Sequence, residues 1–324
     1  MKVTHLELRN FRNYETVSLD FNEGLTVIQG TNGSGKTNLA EAVYYLSLAK
    51  SWRTNEYPAL IKDGCNQALI KARVEENGFH RDIEISIVPK GRKICINGKP
   101  ARRLSELSKL INVTLFSPED VNIFKGPPGD RRSFLDTSIS KKSFEYFNLI
   151  GKYNKLITER NAALKSETPD LTLIQILTDQ IIEVSEPISH YRRKYINDLN
   201  KILSGLASEL YGHDRRVLVV YKSFIRSETN WKDEATKAYK RSLDSDLARK
   251  VTQVGIHRED FSLNLDDGDI ALYGSQGENR LAAIALKIAP YFLIEDEDKR
   301  PIVVLDDVMS ELDNSRRNQL LRFI

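Results

Sequence analysis

The chain has 324 residues, with 48 Lys+Arg against 45 Asp+Glu for a formal net charge of +3, and 40% of its residues are apolar. Its two cysteines, Cys65 and Cys95, stand outside any C-x-x-C or Cys/His cluster, which excludes a disulfide framework and a structural zinc site. No secretory signal is expected from the alternating opening residues, and residues 281–294, the most apolar long stretch, are interrupted by Lys287 and Pro290 and too short to cross a bilayer. The expectation is a cytoplasmic protein of about two domains with no membrane partner.

Taken in chain order, residues 3–9 and 17–21 alternate as strands, joined through Asn10-Phe11-Arg12-Asn13-Tyr14, and residues 24–29 read as a third, buried strand. Next comes Gly30-Thr31-Asn32-Gly33-Ser34-Gly35-Lys36-Thr37, a complete G-x-x-x-x-G-K-[ST] phosphate loop. Gly33 and Gly35 let successive N–H groups turn inward on an anion, and the following helix adds its positive end. Lys36 can reach the β- and γ-phosphates, and the Thr37 hydroxyl can ligate Mg2+. Leu39, Ala42, Val43 and Leu46 recur at helical spacing behind the loop.

Residues 70–98 change period. Ile70, Ala72 and Val74, then Ile83, Ile85 and Ile87, then Ile94 and Ile96 alternate with polar residues, and Asn77-Gly78 and Asn97-Gly98 supply hairpin turns. An antiparallel meander is expected there. From about residue 119 to 250 the spacing becomes helical, with breaks expected at Gly151, Pro169, Pro187 and Gly205 and one strand-like run at 216–221. This segment holds 23 Lys+Arg against 19 Asp+Glu, a basic excess that fits nucleic-acid contact or an ordinary solvated surface.

Gly274-Ser275-Gln276-Gly277-Glu278-Asn279-Arg280 opens a helix expected to run from 276 to 294. Ser275 and Glu278 form an S-x-x-E capping box. The same residues with the Gly277 N–H also suit an anion at a helix N-terminus. Ile302-Val303-Val304-Leu305-Asp306-Asp307 is a Walker B pattern, whose Asp306 would hold Mg2+ and whose Asp307 would orient or deprotonate the attacking water. Ser310-Glu311-Leu312-Asp313 follows as a second helix start. No N-K-x-D motif supports guanine: Asn154-Lys155-Leu156-Ile157 lacks the aspartate.

The order of these motifs resembles the ABC-type ATPase heads of the SMC class, and more closely the RecF family of bacterial recombination-repair proteins. The residues that carry the closer resemblance include Asn10 to Tyr14, Gly30 to Ala42, Ser51-Trp52-Arg53-Thr54, Arg131-Arg132-Ser133-Phe134-Leu135-Asp136, His257-Arg258-Glu259-Asp260 and Leu305 to Asp313. Trp52 departs from the pattern, standing where a smaller or polar residue is expected. The chain also stops at Ile324 inside the helix after S-E-L-D, so the last strand of such a head is expected to be missing.

The resemblance implies an α/β ABC-type head, with a P-loop mixed sheet and an antiparallel meander, at residues 1–118 and 251–324, and an inserted helical lobe at 119–250. It implies ATP and Mg2+ on Gly30 to Asn38 with Lys36, Thr37 and Asp306, flanked by Arg12, Asn13 and Arg53. Asp307 is the implied catalytic carboxylate, its short reach suggesting slow turnover. Ser275, Gln276, Gly277, Glu278 and Arg280 would cover the ATP of a second copy, making an ATP-dependent homodimer, with Ser310 to Asp313 as the D-loop. Glu119 fits a Q-loop position, and equally an acid at a helix N-terminus.

RecF-like proteins bind gapped or junction DNA and help load RecA with RecR and RecO. Here Lys141, Lys142, Arg192, Arg193, Lys194, Arg215 and Arg216 are the candidate DNA contacts, or alternatively solvated helix faces. Another SMC-like DNA-maintenance head, or a transporter ATPase subunit, is the alternative; Ser275-Gln276-Gly277 lacks the double glycine of a transporter signature.

Overall fold

The structure is a computed structural model and describes residues 2–76, 78–117, 120, 122–211, 215–227, 229–294, 300–307 and 317–318. The chain divides into two units, Met1–Glu119 with Ile294–Ile324, and Asp120–Leu293.

In the first unit, β1 (Lys2–Phe11) and β2 (Tyr14–Asp20) form a hairpin, and α1 (Lys36–Leu48) follows the phosphate loop. The meander is β3 (Ala68–Glu76), β4 (Phe79–Val88), β5 (Gly91–Ile96) and β6 (Lys99–Pro100). It joins the first hairpin in one antiparallel sheet of order β2-β1-β3-β4-β5-β6. The pleat sets its buried face: Leu6 pairs with Ala72 and Leu8 with Ile70, and these four side chains are buried with Ile83, Ile85 and Ile87. Leu39, Ala42, Val43 and Leu46 of α1 belong to the same core. Helix α2 (Leu104–Leu110) then leads to β7 (Val113–Phe116), which pairs in parallel with β11 (Ile302–Leu305).

The expected strand at residues 24–29 is not formed. Leu25 and Val27 are 63% and 65% exposed, and no described strand pairs with the segment. An apolar run records a capacity for burial, whereas a strand also needs a ladder partner.

The second unit runs through α3 (Asn122–Lys125), α4 (Pro128–Lys142), α5 (Phe144–Lys165), α6 (Leu171–Tyr211), β8 (Val217–Lys222), α7 (Trp231–Arg249), β9 (Asp260–Leu265), β10 (Gly268–Asp269), α8 (Ile270–Tyr273) and α9 (Gln276–Phe292). Of the four expected helix breaks only Pro169 holds. Gly151 lies inside α5, and Pro187 and Gly205 lie inside the 41-residue α6. Both glycines are on the solvent side, where the loss against alanine is about 1 kcal/mol each. At Pro187 the unpaired carbonyl is that of Glu183, an exposed residue, while Ile181, Ile182, Ile188 and Leu199 bury the opposite face. Apolar burial on that face outweighs the proline, which costs roughly 3 kcal/mol.

The lobe boundary expected at 250/251 falls instead at Leu293/Ile294. The cause is strand pairing: β9 runs antiparallel to β8 from Lys222↔Asp260 to Val217↔Leu265, which ties the following residues to the helical unit.

Two of the motifs that carried the resemblance are each other's partners here. Arg131 donates to both carboxylate oxygens of Asp260 at 2.7 and 2.8 Å, and Arg132 to the Glu259 carbonyl at 2.9 Å. Buried Arg192 bridges Asp136 at 2.8 Å and Glu259 at 2.9 Å. Removing one partner of such a buried pair leaves the other charge uncompensated, at about 3–5 kcal/mol.

His257 stands beside this clasp, with Nδ1 accepting from the Tyr153 hydroxyl at 2.6 Å and Nε2 facing the Thr252 carbonyl at 3.2 Å, so the neutral ring carries its proton on Nε2. Burial, with Arg258, Arg132 and Arg160 nearby, pushes its pKa down from 6.5 to about 4. The fold therefore favours the neutral ring: its contribution is complete above pH 6.5 and is lost as pH falls toward 4. His257→Gln is expected to flatten the fall in melting temperature between pH 6.5 and 4; an unchanged slope against wild type would assign that acid sensitivity elsewhere.

Candidate nucleotide-binding site

Three segments of the first unit converge on the start of α1. Gly35 caps the helix at φ 101°, and a Cβ there would lie 2.8 Å from the Asn13 side chain and 2.9 Å from the Tyr14 ring. Glycine is required on both counts. Asn13 in turn accepts from Asn38 Nδ2 at 2.8 Å, so the β1–β2 turn is fastened to the first turn of α1. The loop residues Thr31 to Ser34 are exposed, and Lys36 donates to the carbonyls of Gly30 at 2.8 Å and Thr31 at 2.9 Å. Its ammonium is thus held over the loop by its own backbone.

The second half of the site arrives on β11. The Asp306 N–H donates to the Phe116 carbonyl at 2.8 Å, continuing the β11–β7 ladder to its last residue. Thr37 Oγ1 donates to Asp306 Oδ1 at 3.0 Å, joining the two motifs across 269 positions of sequence. Burial raises the Asp306 pKa and neighbouring Asp307 adds to that, against the Thr37 hydroxyl, Arg53 and Lys36. Asp307 is exposed and turns the chain at φ 53°, a left-handed conformation that aspartate tolerates better than most residues.

The donor set suits a hard cation: a hydroxyl and a half-buried carboxylate whose charge is under-compensated. Among the described residues no group of three or more His, Cys, Asp or Glu is placed to hold a metal. A hydroxyl and one carboxylate, Thr37 and Asp306, are oxygen donors of the kind Mg2+ takes, a cation that uses few protein oxygens and completes its shell with phosphate and water.

A residue that sequence reasoning passed over organises the flank of the site. Glu41, fully buried on α1, accepts from Arg12 at 2.6 and 2.8 Å, from Ser51 at 2.5 Å and from Arg53 at 3.2 Å. Arg53 also donates to Asn38 Oδ1 at 2.7 Å, and Arg12 to the Ala59 carbonyl at 2.6 Å. The signal was available: an acid between Ala40 and Ala42 on an apolar helix face calls for a buried partner. Trp52 meets Tyr44 of α1 edge-on at 5.4 Å, which accounts for a large ring at that position.

The signature segment belongs to the second unit. Its capping box is formed, Glu278 N donating to Ser275 Oγ at 3.3 Å and Ser275 N to Glu278 Oε2 at 2.9 Å. Gln276 and Gly277 are exposed, Arg280 half-buried. Glu119 and Ser310 to Asp313 lie outside the described residues.

The candidate DNA contacts divide. Arg192 is 1% exposed and doubly ion-paired, so it is excluded as a surface contact. Arg193 donates to the Ile225 carbonyl, Lys142 to the Leu293 carbonyl, and Arg215 pairs with Asp266 and Glu278. Sequence spacing does not reveal which basic residues find acids in three dimensions. Lys141, Lys194 and Arg216 are exposed. A denser basic surface was missed in the first unit. From Lys90 to Arg103 the chain holds Lys90, Arg92, Lys93, Lys99, Arg102 and Arg103 and no acid. The β5–β6 hairpin folds this stretch around a cleft of about 470 Å3 that Tyr57 also lines. Lys90, Lys93, Lys99 and Arg102 are exposed, and none is in an ion pair among the described residues. The signal lay in charge, while the turn residues drew the reading to hairpins.

The fold and the joined Walker motifs define a P-loop ATPase head, and residues 2–324 match the model of the RecF/RecN/SMC N-terminal domain. The chain belongs to that family. It is 35% identical over 324 residues to the DNA replication and repair protein RecF of Clostridium acetobutylicum, with 99% of this chain and 89% of that protein covered. It is 38% identical over 330 residues to the RecF of an Exiguobacterium species, with the same coverage. Among solved structures, that of the recombination mediator protein RecF with ATP, in the RecFOR pathway, superposes with a TM-score of 0.86 at 31% identity, covering 99% of this chain and 90% of that one. The Smc head domain of Pyrococcus furiosus, at 16% identity and a TM-score of 0.59, shares the fold.

Gly35→Ala is expected to displace Asn13 and Tyr14 and strain the cap, costing about 1–3 kcal/mol of stability and most of the nucleotide affinity. Thermal melts and ATP titration check both; unchanged ATP binding would remove the cap from the site.

Proposed function

We propose that this chain is an ATP-gated DNA-binding ATPase of recombinational repair, of the RecF type. ATP binds Gly30 to Asn38, and Mg2+ is held by Thr37 and Asp306. Asp307 orients the attacking water. Its carboxylate reaches one methylene less far than a glutamate would, which suits slow, switch-like turnover. The observation that carries this reading is the 3.0 Å contact between Thr37 and Asp306, because it unites the two halves of an ATPase site. The similarity to ATP-bound RecF supports ATP as the nucleotide.

In this proposal ATP is completed by a second copy, whose Ser275, Gln276, Gly277, Glu278 and Arg280 close over the γ-phosphate. Affinity between copies then depends on the triphosphate, and hydrolysis releases them. The dimer acts on gapped or junction DNA with RecR and RecO, ahead of RecA loading. Ser275→Arg is expected to leave ATP binding by each copy intact and abolish ATP-dependent dimerisation in analytical ultracentrifugation. Dimers that still assemble on ATP would sink the trans arrangement.

DNA contact is assigned to the acid-free surface at Lys90 to Arg103, with Lys141, Lys194 and Arg216 as further candidates. Neutralised phosphates release counterions, so binding should weaken with salt and ignore sequence. Lys93→Glu with Arg102→Glu is expected to cut duplex affinity at least 10-fold, estimated from losing about two phosphate contacts, and to flatten the salt dependence while ATP binding stays constant. An unchanged salt slope would move the DNA site elsewhere.

A further inference from the structure

The segment Ser51-Trp52-Arg53-Thr54 follows α1. In the fold the whole segment hangs on Glu41. Ser51 Oγ donates to Glu41 at 2.5 Å and accepts the N–H groups of Arg53 at 2.9 Å and Thr54 at 3.1 Å, so the turn that presents Arg53 is built around the hydroxyl that the carboxylate holds. Arg12 is gripped by the same carboxylate through Nε and one terminal nitrogen, and by the Ala59 carbonyl through the other. Every nitrogen of the Arg12 side chain is committed.

Arg53 is held differently. One of its nitrogens, Nη1, reaches Asn38 at 2.7 Å and Glu41 at 3.2 Å, and its side chain is 41% exposed. Its remaining N–H groups make no hydrogen bond among the described residues. The cluster is also unbalanced, with one buried carboxylate facing two guanidiniums. The more exposed arginine of the two stands beside the first turn of α1.

We infer that Glu41 is a positioning residue of the nucleotide site: it anchors Arg12 as a fixed strut and presents Arg53, by one nitrogen only, as the arm whose free N–H groups meet a nucleotide's phosphates. The inference rests on the nucleotide-site reading above and adds the residue that sets the arm. Asn38, which bonds both Arg53 and Asn13, links the arm to the glycine cap of the loop.

The test is a double-mutant cycle on the full chain, reading Mg-ATP affinity by calorimetry and melting temperature in parallel. Glu41→Gln keeps the shape of the side chain and removes its charge. It is expected to weaken ATP binding roughly 10-fold, as loss of an orienting outer-shell partner does, and to cost no further affinity in an Arg53→Ala background. Losses that multiply in the double variant, or a Glu41→Gln that melts lower but binds ATP as wild type does, would overturn the inference and leave Glu41 a packing element. Should Glu41→Gln fail to fold, Ser51→Ala loosens the same turn from the carboxylate and enters the same cycle with the same two outcomes. Lys36→Met separates the two levels: if it binds ATP like wild type, the nucleotide-site reading falls, whatever Glu41 does.

Discussion

The hydrogen bond from the Thr37 hydroxyl to the Asp306 carboxylate joins parts of the chain with no local reason to meet. Its geometry is set on one side by the first turn of α1 and on the other by the parallel β7–β11 ladder, which ends on the Asp306 N–H. Because the carboxylate is half-buried beside a second acid, it is held at a cost that a cation would relieve. The same contact brings the phosphate loop and the end of β11 together.

Around this contact the polar groups form a lattice. Asn13 meets Asn38, Asn38 meets Arg53, and Arg53 and Arg12 share Glu41. Such networks are strong when fully satisfied, because each bond fixes the donors and acceptors of the next. The lattice ties the turn after β1, the segment after α1 and the helix itself into one rigid flank. Lys36, in contrast, is bonded among the described residues to carbonyls of its own loop, contacts that an anion can exchange without disturbing the flank.

The helical unit is organised by buried charge. Arg160 with Asp246, Arg192 with Asp136 and Glu259, and Arg131 with Asp260 draw α4, α5, α6, α7 and the start of β9 together. Arginine suits this work because its fork places several donors in fixed directions. This use of basic residues explains why charge counted along the sequence does not map the surface. The excess between residues 119 and 250 includes arginines spent on internal pairs, while the acid-free meander hairpin leaves its lysines in water.

Much of the site was legible in the chain, since a phosphate loop needs glycines, Lys36 and Thr37 at fixed spacing, and a Walker B strand announces itself as an apolar run ending in acids. The meander was equally readable from period-two alternation and N-G turns, and the Ser275–Glu278 box from its S-x-x-E spacing. All of these are local rules, in which a residue's type is dictated by neighbours within a few positions. What tertiary structure decided was partnership: that residues 24–29 form no ladder with a described strand, that α6 runs through Pro187, that β9 assigns its neighbours to the helical unit, and that Arg192 lies inside. The reason is that burial and pairing depend on groups distant in sequence, and a single chain records each partner's capacity to pair without recording which partner it meets.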